Sequence, residues 1–217
     1  RNYTDVDDKI IAKSKETGIP PIAYAQMTIK KIDKVMRDMD IGDPDVWLKA
    51  TETIGDIIEF ISALIEKGHA YPTKKGDVYF SVSSFPAYGR LSHRNLEDAL
   101  NGVRIENDED KRDPLDFALW KSAKAGEISW ESPWGKGRPG WHIECSAMNK
   151  KAFGDRVDIH GGGRDLIFPH HENEIAQSEA LSGKQFVKYW IHNGLIKVNG
   201  QKMSKSLGNS LLMSDLL

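Results

Sequence analysis

The sequence predicts an α/β fold that includes a parallel sheet. Residues 156–160 have the apolar character of a short buried strand, three glycines follow, and residues 169–181 have the pattern of a helix. A second strand-like run covers residues 187–191. A strand, a glycine-rich turn, a helix and another strand form the βαβ unit that is typical of parallel sheets. In the first third of the chain, apolar residues at helical spacing predict the helices that such a fold needs.

The N-terminal part predicts two helices separated by a pair of prolines. The first begins near Asp8, capped by Asp5 or Asp7, and ends at Gly18. The second ends near residues 42–44, where a glycine and a proline occur. Its apolar residues recur at the spacing of one helix face and are Ile22, Ile29, Ile32, Met36 and Met39.

A third and longer helix is predicted between Trp47 and Ile65, with Gly68 as the residue that ends it. We interpret its apolar stripe as packing against the core, because apolar residues at helical spacing most often serve that purpose. The stripe consists of Trp47, Ile54, Ile57, Ile58, Ile61, Leu64 and Ile65.

The middle of the chain changes character. Residues 77–82 alternate like a strand, whereas residues 83–140 are short apolar pieces between turn formers and charges. The charged run 106–113 is predicted to be a solvated loop. Segment 130–141 is too rich in glycine and proline to predict regular structure. Its three tryptophans either anchor a loop to the body of the protein or form a lid or the wall of a cleft.

The last third predicts the elements of the βαβ unit and a hairpin. A helix is expected over residues 142–153, and the glycines at 161–163 are expected to end the first strand. Residues 195–198 form a further strand, and Asn199-Gly200 after it is typical of a hairpin turn.

Composition excludes several classes of protein. The chain has 217 residues, a net charge of −2 and one cysteine. One cysteine cannot form an internal disulfide, and no apolar run is long enough to cross a bilayer. The charge balance excludes a strongly basic nucleic-acid module but not a local basic patch. The chain lacks an initiator methionine and stops where an apolar pattern begins, so we expect a fragment of a longer protein.

One group of residues has the chemistry of a metal site. Cys145 follows His142 by three positions, and Glu174 follows His170 by four, so each pair lies on one face of a helix. Zinc accepts cysteine sulfur, histidine nitrogen and glutamate oxygen in a tetrahedral shell. The spacing alone leaves open the alternative that these side chains are purely structural.

Two other segments have the chemistry of a nucleotide site. His160 and the three glycines after it stand at the end of a predicted strand, where ligands of open parallel sheets bind, although a plain tight turn would explain them equally well. Lys202 and Lys205 flank a serine in a predicted loop. Lysine ammonium groups suit phosphates and the charge of a transferring group, although a solvated basic loop is the simpler interpretation.

The motifs resemble one family over the whole chain. Residues 202–206 (KMSKS) match the signature of class I aminoacyl-tRNA synthetases letter for letter. Residues 137–148 (GRPGWHIECSAM), 160–179 (HGGGRDLIFPHHENEIAQSE) and 1–11 (RNYTDVDDKII) are similar, in the same order, to cysteinyl-tRNA synthetases. The chain is therefore identified as a member of that family.

The resemblance implies a class I synthetase fold: a Rossmann-type parallel sheet with an inserted connective region and with the N-terminal part of the fold missing. It divides the chain into a helical part of the catalytic domain (1–75), the connective insertion (76–138), the second half of the catalytic domain (139–200) and the KMSKS loop with the start of a helical region (201–217). The HIGH tetrapeptide of class I synthetases is absent from these residues, so the resemblance places it upstream and implies that this chain alone is inactive or nearly so.

The resemblance also implies the chemistry. L-Cysteine reacts with ATP to give cysteinyl-adenylate, which is transferred to tRNA(Cys), and one zinc ion per subunit binds the substrate thiolate. The residues that match the family's metal ligands are Cys145, His170 and Glu174, with a further cysteine upstream. Those that match its substrate-binding residues are Thr4, Trp141 and His142. The resemblance also implies ATP binding by Lys205, His160, Gly161 and Gly162, and a catalytic role for Lys202 and Lys205. His171 and Glu172 are expected to support the ligands or line the pocket.

Further expectations follow from the same resemblance. ATP is expected to act with Mg²⁺, and the protein is expected to be a cytoplasmic monomer with no membrane partner. Three alternatives stay open at this point: a relative that joins cysteine to an amino sugar, a non-catalytic zinc-binding paralogue, and a zinc hydrolase. The hydrolase is the weakest, because catalytic zinc helices usually present two histidines, and the lysine loop would have no role.

Overall fold

The computed structural model describes residues 1–94, 110–203, 207–211 and 213. Five helices of ten or more residues occur in this part of the chain: α1 (Asp8–Thr17), α2 (Pro21–Asp38), α3 (Ile54–Glu66), α4 (Trp141–Phe153) and α5 (Glu172–Ser182). The strands are β1 (Asn2–Tyr3), β2 (Leu48–Lys49), β3 (Ala70–Pro72), β4 (Val78–Phe80), β5 (Phe117–Ser122), β6 (Gly137–Pro139), β7 (Val157–Gly163), β8 (Val187–Asn193), β9 (Lys197–Val198) and β10 (Gln201–Lys202). None of the helices described combines the length and hydropathy that crossing a membrane requires.

The predicted parallel unit is confirmed. β7 and β8 pair in parallel, with His160 opposite Trp190, and α5 forms the connection between them. A second parallel pair is formed by β1 and β2, which are separated by α1 and α2. The glycines were expected to end the first strand, and this was wrong: β7 continues through Gly163. Glycine is compatible with extended backbone, and pairing with β8 supplies the hydrogen bonds that hold it there.

The N-terminal helices follow the predicted boundaries closely. Asp7, not Asp5, caps α1 by accepting a hydrogen bond from the Lys9 amide, and Gly18 ends the helix in the left-handed conformation. Asp5 instead accepts two hydrogen bonds from Thr51. The prediction that Trp47 belongs to the third helix was wrong, since α3 begins at Ile54. Trp47 stacks on Tyr3, with ring centroids 4.8 Å apart.

The middle of the chain forms a four-stranded antiparallel sheet in the order β3-β4-β5-β6. Sequence patterning identified only β4, and it missed β3, β5 and β6. Segment 130–141 was expected to lack regular structure, yet Gly137–Pro139 is a strand paired with β5. Trp134 packs edge-on against buried Trp120, so this loop is anchored to the body of the protein. Residues 106–109 of the predicted solvated loop lie outside the described residues.

One hydrophobic core joins these parts. The apolar stripe of α3 is buried, as predicted, and packs with β4, β5, α4 and α5. α4 also contributes Cys145 and Met148 to a second cluster, which includes Val6 and Ala50. α4 is thereby fixed on two sides, and it carries several of the predicted site residues.

The hairpin at the end of the described chain is also confirmed. β9 and β10 are antiparallel, and both Asn199 and Gly200 between them have positive φ, as a two-residue hairpin turn of this type requires.

We expect Gly140→Ala to destabilise the protein by about 2 kcal/mol or more. Gly140 immediately precedes α4, and a Cβ atom there would overlap the backbone carbonyl of Ala118 on β5. Gly55→Ala in α3 is the matched control, because its added Cβ meets open space and alanine is the better helix former by about 1 kcal/mol. Denaturant unfolding of both variants measures this. Equal stabilities for the two would contradict the steric argument.

Candidate metal and substrate site

Three predicted metal ligands come together on two neighbouring helices and the turn before the second. Cys145 lies in the second turn of α4, His170 in the turn that precedes α5, and Glu174 in the first turn of α5. The ligand atoms of the three side chains all lie within 4.8 Å of one another. All three side chains are buried or nearly so. The packing of α4 against α5 therefore creates this group from residues 29 positions apart in the sequence.

Glu174 is the centre of a hydrogen-bonded cluster. His170 Nε2 lies 3.1 Å from Oε1, His160 Nε2 lies 3.2 Å from Oε2, and the Asn149 amide donates to Oε2 at 3.3 Å. Burial favours the neutral form of this carboxyl group, but the hydrogen bonds with His160 and His170 outweigh it and hold the pKa of Glu174 well below its usual range. The residue is thus an ionised carboxylate in a buried place, which is an environment suited to a cation.

For Cys145 the environment favours the neutral form of the side chain. Burial, together with the nearby charges of Glu174 and Glu144, raises the pKa of its thiol well above the usual value. The amide of Asn2 donates to Sγ at 3.5 Å and works against that increase. The free thiol is therefore protonated at neutral pH, and a metal that binds the thiolate has to displace one proton.

Two of the surrounding imidazoles, those of His142 and His171, are held neutral. Burial and the neighbouring His170 lower the pKa of His142 to about 3, and the two Nδ1 atoms lie 2.9 Å apart. Burial likewise lowers the pKa of His171 to about 3, and its Nδ1 lies 2.7 Å from Nε2 of His192. Neutral imidazoles are the form that binds metals. His160, His171 and Glu174 also lie close enough to share an ion, as a second arrangement around the same carboxylate.

Trp141 forms the wall of the site that faces solvent. Its ring stacks on His170 at a centroid distance of 4.2 Å and is 45% exposed, whereas His170 beneath it is buried. His142 lies beside both rings. The predicted substrate residues Trp141 and His142 are therefore next to the metal-ligand group, where a small substrate bound to the ion would touch them.

Thr4 belongs to a neighbouring cavity, and Asn2 lines this cavity as well as the one beside Cys145. Thr4 lines a cavity of about 310 Å³ between β1 and the α1–α2 pair, together with residues such as Tyr24 and Ile29. The cavity beside the metal-ligand group has about 300 Å³ and is lined by Cys145, Asn149, His160 and others, but not by Thr4.

The predicted ATP-binding residues of β7 lie next to the same group. His160 contacts Glu174, and Gly161 lines the cavity beside Cys145. Gly162 has a specific steric role, because a Cβ atom there would meet the His171 ring at 2.9 Å. Lys202 belongs to β10, and Lys205 lies outside the described residues.

Sequence reasoning missed Asn2, Asn149 and His192. Asn149 stands one helical turn after Cys145, and that spacing could have identified it. Asn2 and His192 approach only through tertiary packing, for which the sequence carries no local signal. Glu172 was expected to line the pocket or support the ligands, but its carboxylate accepts hydrogen bonds from the amide and hydroxyl of Ser92 and holds that loop instead.

The donor set fits zinc. It combines one sulfur, one imidazole nitrogen and one carboxylate oxygen, which are the three ligand types that zinc takes in proteins. Calcium and magnesium prefer all-oxygen surroundings and would not use the thiol. Three protein donors leave the fourth tetrahedral position to another ligand.

Comparisons with known proteins identify the family of the chain. The profile of the family described as tRNA synthetases class I (C) catalytic domain matches residues 1–217. A cysteine–tRNA ligase of Maridesulfovibrio salexigens is 57% identical over 217 residues, which are 100% of this chain and 45% of that protein. A cysteine–tRNA ligase of Geobacillus thermodenitrificans is 56% identical over 216 residues, which are 100% of this chain and 46% of that protein. The chain thus spans about half the length of the curated relatives that it matches.

A structural match supports the fold. A crystal structure from Campylobacter jejuni, assigned as an arginyl tRNA synthetase, superimposes with a TM-score of 0.53 and 16% sequence identity. The match covers 93% of this chain and 36% of the other. At this identity it bears on the fold alone, and it agrees with the α/β architecture described above. With the family profile matched from the first residue to the last, the chain belongs to the class I (C) tRNA synthetase catalytic-domain family.

Proposed function

We propose that the chain is part of a cysteine–tRNA ligase, which activates L-cysteine with ATP to cysteinyl-adenylate and transfers it to tRNA(Cys). The observation that carries this proposal is the buried Cys145–His170–Glu174 group beside Trp141. The relatives named cysteine–tRNA ligase, at 56–58% identity over the whole chain, supply the reaction.

Selection of the substrate is assigned to the metal group. Cysteine and serine differ by one atom, and an apolar pocket separates such near-isosteres poorly. Zinc held by Cys145, His170 and Glu174 would supply a strong preference for a thiolate over a neutral hydroxyl. Trp141 closes the pocket over His170, and His142 presents a neutral imidazole beside it. We keep Thr4 in the proposal only as a resemblance, since its cavity is a different one.

Activation of ATP is assigned to the end of β7 and to the lysine loop. Ligands of parallel sheets bind at the carboxyl ends of strands, and His160, Gly161 and Gly162 lie in the C-terminal half of β7. Lys202 and Lys205 would place positive charge at the transferring nucleotidyl group, with Mg²⁺ on the phosphates of ATP. The domain boundaries at residues 75, 138 and 200, the monomeric state and the cytoplasmic location belong to the same proposal.

Pyrophosphate exchange on the full-length protein tests the function. We expect exchange that depends on cysteine and ignores serine. Lys205→Ala is expected to lower the exchange rate by about 10²–10³-fold, the usual effect of removing one charge-stabilising group. Lys30→Ala, at an exposed position of α2, is the matched control and should leave the rate unchanged.

Pyrophosphate exchange, measured together with charging of tRNA(Cys), distinguishes the other functions. Cysteine-dependent exchange without charging of tRNA(Cys) would indicate a ligase with another acceptor, such as an amino sugar. Zinc binding without any exchange would indicate a non-catalytic paralogue. Either result would overturn the proposed function.

A further inference from the structure

Cys145 and Glu174, the two acidic members of the metal-ligand group, each accept a hydrogen bond from one neutral asparagine amide. Asn2 Nδ2 donates to Cys145 Sγ at 3.5 Å, and Asn149 Nδ2 donates to Glu174 Oε2 at 3.3 Å. Both asparagines line the cavity of about 300 Å³ that adjoins Cys145. No motif identified by sequence analysis includes a role for either of them.

The two amides are delivered by different parts of the fold. Asn2 lies on β1, where parallel pairing with Leu48 of β2 fixes its position, and it reaches Cys145 across 143 positions of sequence. Asn149 lies on α4, one turn beyond Cys145, and reaches across to α5. Because the two contacts are independent, a substitution at one asparagine leaves the other contact in place.

A neutral donor has a specific advantage at this place. Groups that donate hydrogen bonds to metal ligands fix the orientation of those ligands and adjust how much charge they give to the metal. A lysine or arginine could donate as well, but its positive charge would repel the cation. An amide N–H draws electron density from a thiolate sulfur, or completes the shell of a carboxylate, without adding a net charge.

The hydrogen-bond partners of the two Glu174 oxygens show what Asn149 contributes to the orientation of the carboxylate. His170 Nε2 lies 3.1 Å from Oε1, and His160 Nε2 lies 3.3 Å from Oε1 and 3.2 Å from Oε2. Asn149 donates to Oε2 as the third partner. A carboxylate held at both oxygens has a defined plane, which determines where its free lone pairs point. Cys145 has only the Asn2 amide among the side-chain hydrogen bonds described for the structure, so its sulfur depends on that single donor.

We propose that Asn2 and Asn149 are positioning residues of the metal site: Asn2 sets the electron donation of the Cys145 thiolate, and Asn149 fixes the orientation of Glu174. This inference rests on the proposed function, because it requires a metal ion at that group. The effect of Asn2 on the sulfur and the effect of Asn149 on the carboxylate can be measured independently.

Cobalt(II) substitution of the full-length protein tests the inference, since a cysteine thiolate bound to cobalt gives a ligand-to-metal charge-transfer band. We expect Asn2→Leu, which has the same branched arrangement of heavy atoms and no donor, to move this band to lower energy, because the sulfur electrons are no longer stabilised. Asn2→Asp, with the same shape and no N–H, should move it in the same direction. Asn149→Leu should leave the band energy unchanged.

Metal affinity provides the second measurement. We expect both Asn2→Leu and Asn149→Leu to weaken zinc binding by about 10–100-fold, the usual effect of removing a group that supports a ligand. Each variant is the other's control, because the charge-transfer band responds to the sulfur and not to the carboxylate. Circular dichroism of the metal-free variants confirms that they fold.

The outcomes are distinct. A cobalt-loaded protein whose band energy and zinc affinity are the same in all variants would overturn the inference and leave the proposed function intact. Equal band shifts for Asn2→Leu and Asn149→Leu would also overturn it, since that would indicate a general structural change. A wild-type protein that binds neither cobalt nor zinc would overturn the metal site itself, and the inference with it.

Discussion

Glu174→Gln is expected to abolish zinc binding at micromolar protein and to lower cysteine-dependent pyrophosphate exchange by more than about 100-fold. Groups that only support a metal ligand are worth about 10–100-fold, and this substitution removes the ligand charge itself. The variant keeps the side-chain volume, and the new amide stays within reach of His160 and His170. Zinc content after dialysis and the exchange rate measure the two effects.

The neighbouring carboxylate at Glu172 supplies the control. It is as buried as Glu174, but it holds the Ser92 loop and does not face the ligand group. Glu172→Gln should therefore lower the free energy of unfolding while zinc still binds. If Glu174→Gln retained a full equivalent of tightly bound zinc, the assignment of Glu174 as a ligand would be wrong.

Acid is expected to destabilise the metal-free protein well above the range in which carboxylates titrate. The folded state holds His142 and His171 neutral, with pKa values of about 3, whereas both imidazoles bind protons in the unfolded chain below about pH 6.5. The unfolded state then binds more protons, so the free energy of unfolding falls as the pH falls. Two such groups give a limiting slope of roughly 2.7 kcal/mol per pH unit well below pH 6.5, or about 3 kcal/mol between pH 6.5 and 5.

Glu144 acts in the opposite sense in this window, because burial raises the pKa of its carboxyl group and the folded state keeps that proton. The pKa of Glu174 is lowered in the folded state, so its contribution to stability is complete above its unfolded value near 4.5 and is lost only at lower pH. Denaturant unfolding at several pH values measures the slope. His171→Gln should remove about half of the histidine contribution, whereas a change at the exposed His93 serves as the control. A flat profile between pH 6.5 and 5 would contradict the neutral state of the two imidazoles.

Local signals in the sequence predicted the elements that depend on local physics. Asp7, Gly18 and Gly68 define the ends of helices α1 and α3, and Asn199-Gly200 defines the hairpin, because caps and turns depend on a few adjacent residues. The antiparallel strands were harder. Gly137–Pro139 pairs with β5 at the edge of its sheet, where a proline that cannot donate a backbone hydrogen bond is tolerated, so its glycine and proline gave a misleading signal.

The same distinction applies to the site. Helical spacing put His170 and Glu174 on one face, and the packing of α4 against α5 then brought Cys145 to them. Spacing could not reveal that Asn2 reaches the sulfur or that Thr4 lines another cavity, because both depend on where β1 lies in three dimensions. The extent of burial, which sets the pKa values of His142 and His171, is likewise a property of the whole fold.

Helix α4 has one face in each of two apolar clusters, and its metal-ligand residue Cys145 belongs to one of them. If the proposed function holds, substrate selection and the stability of the core depend on the same few side chains. The site cannot be moved to another protein as a short motif, because it depends on both clusters. Substitutions at Ile143 or Met148 that change the packing would also move the sulfur of Cys145. Even the solvent-facing side of the pocket is not independent, because the ring of Trp141 is 45% exposed but stacks on the buried His170.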